Sequence, residues 1–211
     1  MTKTSAHEDP NPWVQRWSEH KTGWNMGQAH PYLSVLLERS VCEGGLQPGG
    51  RIYVPGCGHG HEAVALARQA YQVVAVDFVA QAIEEACHLY GKEANLNLQQ
   101  ADVLQWEEAE QDSFEAVIDR AMLCALQPEN RKSYVDACRA RLKPGGLFAG
   151  ILFAKVNLEG AGGPPFDIDE KEIWDLWSDG FDLVHLESRP AAQNSPPVIV
   201  SEWLCVWRKW D

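Results

Sequence analysis

The sequence holds no run of apolar residues near the ~18 needed to cross a bilayer, which excludes a spanning helix. Its opening residues, MTKTSAHEDPNPW, contain no apolar stretch, so no secretory signal is expected. Basic residues are scarce: 18 Lys and Arg stand against 30 Asp and Glu, a formal net charge of −12. Such a surface repels phosphate backbones and anionic lipid, so neither a nucleic-acid nor a membrane partner is expected. The six cysteines, at 42, 57, 87, 124, 138 and 205, include no C-x-x-C and no paired spacing. That scatter reads as free thiols in a reducing, cytoplasmic compartment rather than as a disulfide framework. No internal repeat or low-complexity block is present.

What is present suits one globular domain. A chain of 211 residues, 45% hydrophobic and 23% charged, is close to an average soluble protein. It can build a full core without a disulfide or metal staple. The nine tryptophans are the oddity, clustered at 13, 17 and 24 and again in the last third. A monomer working on small molecules is the default expectation.

Residues 1–12 are polar and are expected to be loosely docked. Trp13 and Trp17, at i and i+4, share one face of a short helix. Pro31 suits the first turn of a helix over 31–42 with Tyr32, Val35 and Leu36 inward. Residues 43–50 read as a turn. Strands are then expected at 51–55, 72–77, 96–99, 114–119, 147–153, 181–188 and 198–207, and helices at 61–70, 79–90, 129–142 and 169–178. Lys143-Pro144-Gly145-Gly146 should stop the fourth of the longer helices, Asp169 should cap the last, and 157–168 reads as a Gly/Pro loop with 157–166 as a candidate lid. Strands alternating with helices imply a doubly wound, mostly parallel α/β sheet, here of seven strands. The last two strands have no helix between them and must pair as an antiparallel hairpin.

In such sheets ligands sit beyond the carboxyl ends of the strands. The first strand ends in Gly56-Cys57-Gly58-His59-Gly60, a turn that permits positive φ and close approach of backbone to ligand. The second ends in Asp77, 21 residues past Gly56, placed to accept hydrogen bonds from ribose hydroxyls. A dinucleotide fingerprint needs a third glycine where His61 stands, and a pyrophosphate is poorly served by Glu62. A nucleoside ligand without phosphate, S-adenosylmethionine, fits better. Asp102 and Val103 follow the third strand, where the Asp can accept an adenine amino group, and Asp119 ends the fourth beside the expected reacting centre. Cys57, His59 and His61 form C-x-H-x-H, which matches no common zinc spacing, so no metal is expected. A nicotinamide dehydrogenase and a non-catalytic cofactor-binding module are the rival classes.

Ile118-Asp119-Arg120-Ala121-Met122-Leu123-Cys124-Ala125-Leu126-Gln127-Pro128, followed by Asn130-Arg131-Lys132-Ser133-Tyr134, is similar to a D-R-x-x-L-x-A-x-x-P stretch with R-x-x-Y after it. Together with Val54-Pro55-Gly56-Cys57-Gly58, Gly163-Pro164-Pro165-Phe166 and the N-terminal tryptophans, it makes the chain resemble class I S-adenosylmethionine-dependent methyltransferases. More narrowly, about residues 12–208 resemble the thiopurine S-methyltransferase superfamily, which includes halide and thiol methyltransferases. The resemblance implies a cofactor-covering segment over 1–30 and a methyltransferase domain over 31–211. It implies a cofactor site of Trp13, Trp17, Trp24, Gly56, Gly58, Asp77, Asp102, Val103 and Asp119, with Arg120 facing the acceptor and Asp119 beside it. A salt bridge from Arg120 to Asp119 or a nearby Glu is the plain structural alternative. The acceptor it implies is a small soft nucleophile, a thiol or thiopurine sulfur first. Halide or thiocyanate and tellurium or selenium oxyanions are the other options.

Overall fold

A computed structural model describes residues 11–42, 46–105, 111–158 and 163–211. The sequence expectations for 1–10, for the first part of the 43–50 turn and for Gly160 and Gly162 of the lid lie outside the described residues. Chain order runs α1 (Pro12–Ser18), α2 (Leu33–Cys42), β1 (Arg51–Pro55), α3 (His61–Ala67), β2 (Gln72–Asp77), α4 (Ala80–Tyr90) and β3 (Leu96–Gln100). It continues through β4 (Phe114–Arg120), α5 (Met122–Ala125), a 3-10 turn (Pro128–Asn130), α6 (Arg131–Arg141), β5 (Leu142–Val156), α7 (Glu170–Trp177), β6 (Phe181–Pro190) and β7 (Ile199–Lys209).

The seven strands form one sheet in the order β3-β2-β1-β4-β5-β7-β6. The pairs from β3 to β5 are parallel; β7 enters antiparallel between β5 and β6. The central strands are apolar on both faces because helices cover both. Leu36, Ile52, Leu66, Ile118 and Leu204 fill the core beneath α2 and α3. Phe114, Tyr134, Phe148, Trp177 and Trp207 fill the core beneath α6 and α7. Trp177 stacks on Trp207 with centroids 6.0 Å apart, and Phe148 meets Trp177 at 5.0 Å, so part of the C-terminal tryptophan cluster is core. The order reverses at β1 and β4, which opens a crevice at their carboxyl ends.

Two expectations need correction. In α2 the buried positions are Leu33, Leu36, Leu37 and Ser40, while Tyr32 and Val35 sit at the edge. Pro31 lies in a turn ahead of the helix rather than in its first turn, which moves the inward stripe. The Lys-Pro-Gly-Gly stretch follows the end of α6 as expected, yet it belongs to β5. Phe114 pairs with Leu142 and Ala116 with Leu147, so residues 143–146 bulge out between two paired positions. Gly145, at φ 71°, makes the excursion feasible, and Lys143 pairs with Glu115 beside it.

All three glycines of the first turn take left-handed backbone: Gly56 at 58°, Gly58 at 53° and Gly60 at 79°. A β-carbon at Gly56 would stand 2.2 Å from Met122 Sδ and 3.3 Å from Met122 Cβ. The left-handed conformation alone costs an L-residue roughly 1–2 kcal/mol. Gly56→Ala is therefore expected to lower Tm by roughly 2–4 °C per kcal/mol lost, and an unchanged calorimetric melting curve would show that the turn relaxes freely.

Candidate active site

The crevice is a cavity of about 860 Å³ at the carboxyl ends of β1, β2 and β4, within the usual range for small-molecule sites, roughly 300–1,000 Å³. Its near wall is the N-terminal segment. Asn11 accepts from the Trp13 amide and Pro12 occupies the first turn, so α1 begins where sequence chemistry places it. Trp17 is buried, at 2% exposure, against Val79 and Ala82, at the start of α4. Trp13 meets Trp24 edge-on at 5.2 Å and Trp17 meets Trp24 at 6.0 Å. A methyl at Gly58 would point at Trp17 and Trp24 from 3.8 and 3.9 Å, so the glycine turn is the floor beneath the indoles.

Asp77 is 8% exposed. Its Oδ2 accepts from the Gly58 amide and its Oδ1 from the Val79 amide, both at 3.0 Å. Burial raises its pKa above the ordinary carboxylate value, and those two amides hold it back. Asp102 lies exposed at the rim, where Oδ1 accepts from the Leu104 amide, and Val103 lies buried beside it. Asp77, Asp102 and Val103 all line the crevice, as do Gly56, Gly58 and the three tryptophans.

Asp119 does not line the crevice. It is fully buried, and its two oxygens accept from the Met122 amide at 2.7 Å, the Leu123 amide at 3.1 Å and the Tyr134 hydroxyl at 2.8 Å. It starts α5 from below rather than touching the reacting centre. Burial pushes its pKa up to about 6 against the pull of those donors.

Arg120 is at the crevice wall and makes no ion pair among the described residues. One Nη1–H donates to the Trp24 carbonyl at 3.2 Å; Nε and Nη2 are buried without a partner. Ala121, held at φ 63°, turns the chain immediately after it. The R-x-x-Y pair is structural: Arg131 donates to Glu172 and to the Asp167 carbonyl, and Tyr134 to Asp119.

Sequence reasoning missed several lining residues. Phe78 could have been suspected from its place after Asp77. Asn25, Glu62, Phe153 and Pro196–Ile199 carry no local signal. His59 and His61 stack at 5.8 Å in the wall. His59 faces Glu85 at 3.2 Å, and His61 bonds Tyr90 and Asn25. Among the described residues no group of three could hold a metal ion.

This sheet order with a glycine turn and strand-end acids defines the class I methyltransferase fold. Solved structures agree on the fold: an N-methyltransferase from Bradyrhizobium japonicum has a TM-score of 0.72 at 17% identity, covering 95% of this chain and 98% of that one. Thiopurine S-methyltransferase sequences match residues 8–201, and the chain belongs to that family. It is 32% identical over 184 residues to Thiocyanate methyltransferase 1 of Arabidopsis thaliana, covering 85% of this chain and 77% of the relative. It is 30% identical over 205 residues to a Thiopurine S-methyltransferase of Pseudomonas putida, covering 89% and 91%. The protein is thus an enzyme, an S-adenosylmethionine-dependent methyltransferase.

Folded Asp119 binds its proton more tightly than an unfolded carboxyl titrating at 3.8. Ionisation therefore favours the unfolded chain, and this site's contribution to stability falls as pH rises from about 4 through 6. Asp119→Asn is expected to remove that falling component. Urea unfolding of both proteins across this range measures it, and an unchanged pH dependence in the variant would contradict the assignment.

Proposed function

We propose that the enzyme methylates the sulfur of a small acceptor that is anionic when it reacts, a thiolate or thiopurine sulfur. The observation carrying this reading is Arg120: a guanidinium at the crevice wall whose Nε and Nη2 are buried without a partner and which makes no salt bridge among the described residues. The relatives named for thiopurine and thiocyanate support a sulfur acceptor, and thiocyanate is the second reading.

The residues present fit the cofactor. The glycine floor leaves room that a side chain would fill, the buried Asp77 carboxylate suits ribose hydroxyls, and Asp102 at the rim suits the adenine amino group. The cofactor supplies a methyl group on a cationic sulfur. Indole faces of Trp13, Trp17 and Trp24 attract such a cation by roughly 0.5–2 kcal/mol each and exclude water from it. Arg120 would hold and orient the acceptor's negative charge, which favours its deprotonated form. His61 is tied at both ring nitrogens and is not placed to take a proton. Because the opposite charges cancel as the methyl moves, a dry, oriented site supplies most of what the reaction needs.

In this reading residues up to about 30 cover the cofactor, and 31–211 form the body. Six free thiols support a reducing cytoplasm, and a monomer is the default reading. No helix among the described residues is long and apolar enough to cross a membrane.

Labelled S-adenosylmethionine offered with a panel of thiols, thiopurines, thiocyanate and iodide tests the acceptor. Methylated sulfur products are expected; turnover of iodide with no sulfur compound would refute the proposal. Asp77→Ala is expected to weaken binding of the demethylated cofactor by about 1–3 kcal/mol, roughly 5- to 150-fold in calorimetry. Arg120→Met should raise the acceptor KM about tenfold or more while changing cofactor Kd only a few-fold, through loss of the Trp24 contact. Parallel loss of both affinities would make Arg120 structural.

A further inference from the structure

Glu202, on β7, is fully buried and outside the crevice, yet it gathers three donors from two distant stretches of chain. Its Oε1 accepts from His30 Nε2 at 3.1 Å and from the Ser195 hydroxyl at 3.3 Å, and its Oε2 accepts from the Ala192 amide at 3.0 Å. The tautomer of His30 is set from its other side, because Nδ1 accepts from the Tyr32 amide at 3.2 Å. Nε2 therefore carries the proton and donates to Glu202 without any need for a charged imidazole. Burial alone would raise the pKa of Glu202. The hydrogen bonds from His30 and the Ala192 amide, with the charge of Arg120, bring it below the ordinary value.

What the carboxylate joins matters more than its own ionisation. His30 ends the N-terminal arm that contributes Asn25 and Met26 to the crevice, and its backbone amide donates to Glu62, another lining residue, at 3.0 Å. Ala192 and Ser195 belong to the β6–β7 connection, which contributes Pro196 and Pro197. Glu202 itself pairs across the sheet with Phe153, also in the lining. Arg120 is linked to the same surfaces: it donates to the Trp24 carbonyl of the arm, and its charge acts on Glu202.

We propose that Glu202 is the positioning residue for the acceptor side of the crevice, holding the N-terminal arm and the β6–β7 connection at a fixed spacing. Three donors converge on it, and only an ionised carboxylate offers acceptors alone on both oxygens. A glutamine must turn an amide N–H toward either the His30–Ser195 pair or the Ala192 amide. A separate tie, from the Tyr32 hydroxyl to the Pro190 carbonyl at 3.0 Å, keeps the two segments near each other when the carboxylate is gone. The choice of acceptor in the test rests on the sulfur reading above; the positioning role does not.

Glu202→Gln is the test, read by steady-state kinetics, calorimetry with the demethylated cofactor and amide hydrogen exchange. The acceptor KM should rise about tenfold with kcat within a few-fold, cofactor Kd should hold within about twofold, and amides of 24–30 and 191–199 should exchange faster. An unchanged KM, or a cofactor Kd that rises in step with it, overturns the proposal. Should the variant fail to fold, Ser195→Ala decides. It removes one donor, and is expected to raise acceptor KM about threefold and to speed exchange in 191–199; no change in either overturns the proposal. If the wild-type protein methylates no member of the panel, the sulfur reading falls, and exchange in the two segments still decides the role of Glu202.

Discussion

A guanidinium with two buried nitrogens that meet no partner among the described residues is an expensive arrangement, and the proposed acceptor site depends on it. The residue before Arg120 is an aspartate, and an ion pair between them would neutralise the wall of the crevice. The alternation of side chains along a strand prevents it. Asp119 leaves β4 toward α6, where two amides of α5 and the Tyr134 hydroxyl take up its oxygens, while Arg120 leaves toward Trp24. Ala121, in left-handed backbone, turns the chain between the two consequences. Asp119 is occupied by its own donors, so no ion pair forms between the neighbours, and the guanidinium borders a cavity where weak screening makes each charge count for more.

The same logic explains the N-terminal cover. Isolated, a seven-residue helix with three tryptophans nearby has little reason to be ordered. Here it is held at several points. Trp17 is sunk against the start of α4, Arg16 donates to the Pro164 carbonyl, Arg120 to the Trp24 carbonyl, and His61 bonds Asn25. Each tie brings in a residue that also borders the crevice, so ordering the cover and shaping the site are one event. An indole cage above a glycine floor suits a cation attached to a nucleoside, and the guanidinium beside it suits an anion. The two charge preferences lie side by side, as a transfer that cancels charge requires.

The parts of the site that a linear reading could find are those with a local mechanism. The glycine turn, Asp77 at the end of β2, Asp102 after β3 and the paired Trp13 and Trp17 each combine a residue type with a position at an element boundary. Asp119 was misplaced because strand position does not say which face its carboxylate serves. Tyr134 looked like part of a motif and is the partner that fixes that face. The proline wall at 196–197 and the junction of His30 with Glu202, 172 residues apart, have no local signature at all.

By itself the sequence determined the alternation of strands and helices, the antiparallel finish and the residues at three strand ends, because periodicity, turn residues and capping act over a few neighbours. Only the tertiary structure decided which acid is spent in the core, which guanidinium at the crevice makes no ion pair among the described residues, and which two remote segments meet at Glu202. Those outcomes depend on burial and on convergence of donors from distant positions, and neither exists until the sheet has assembled.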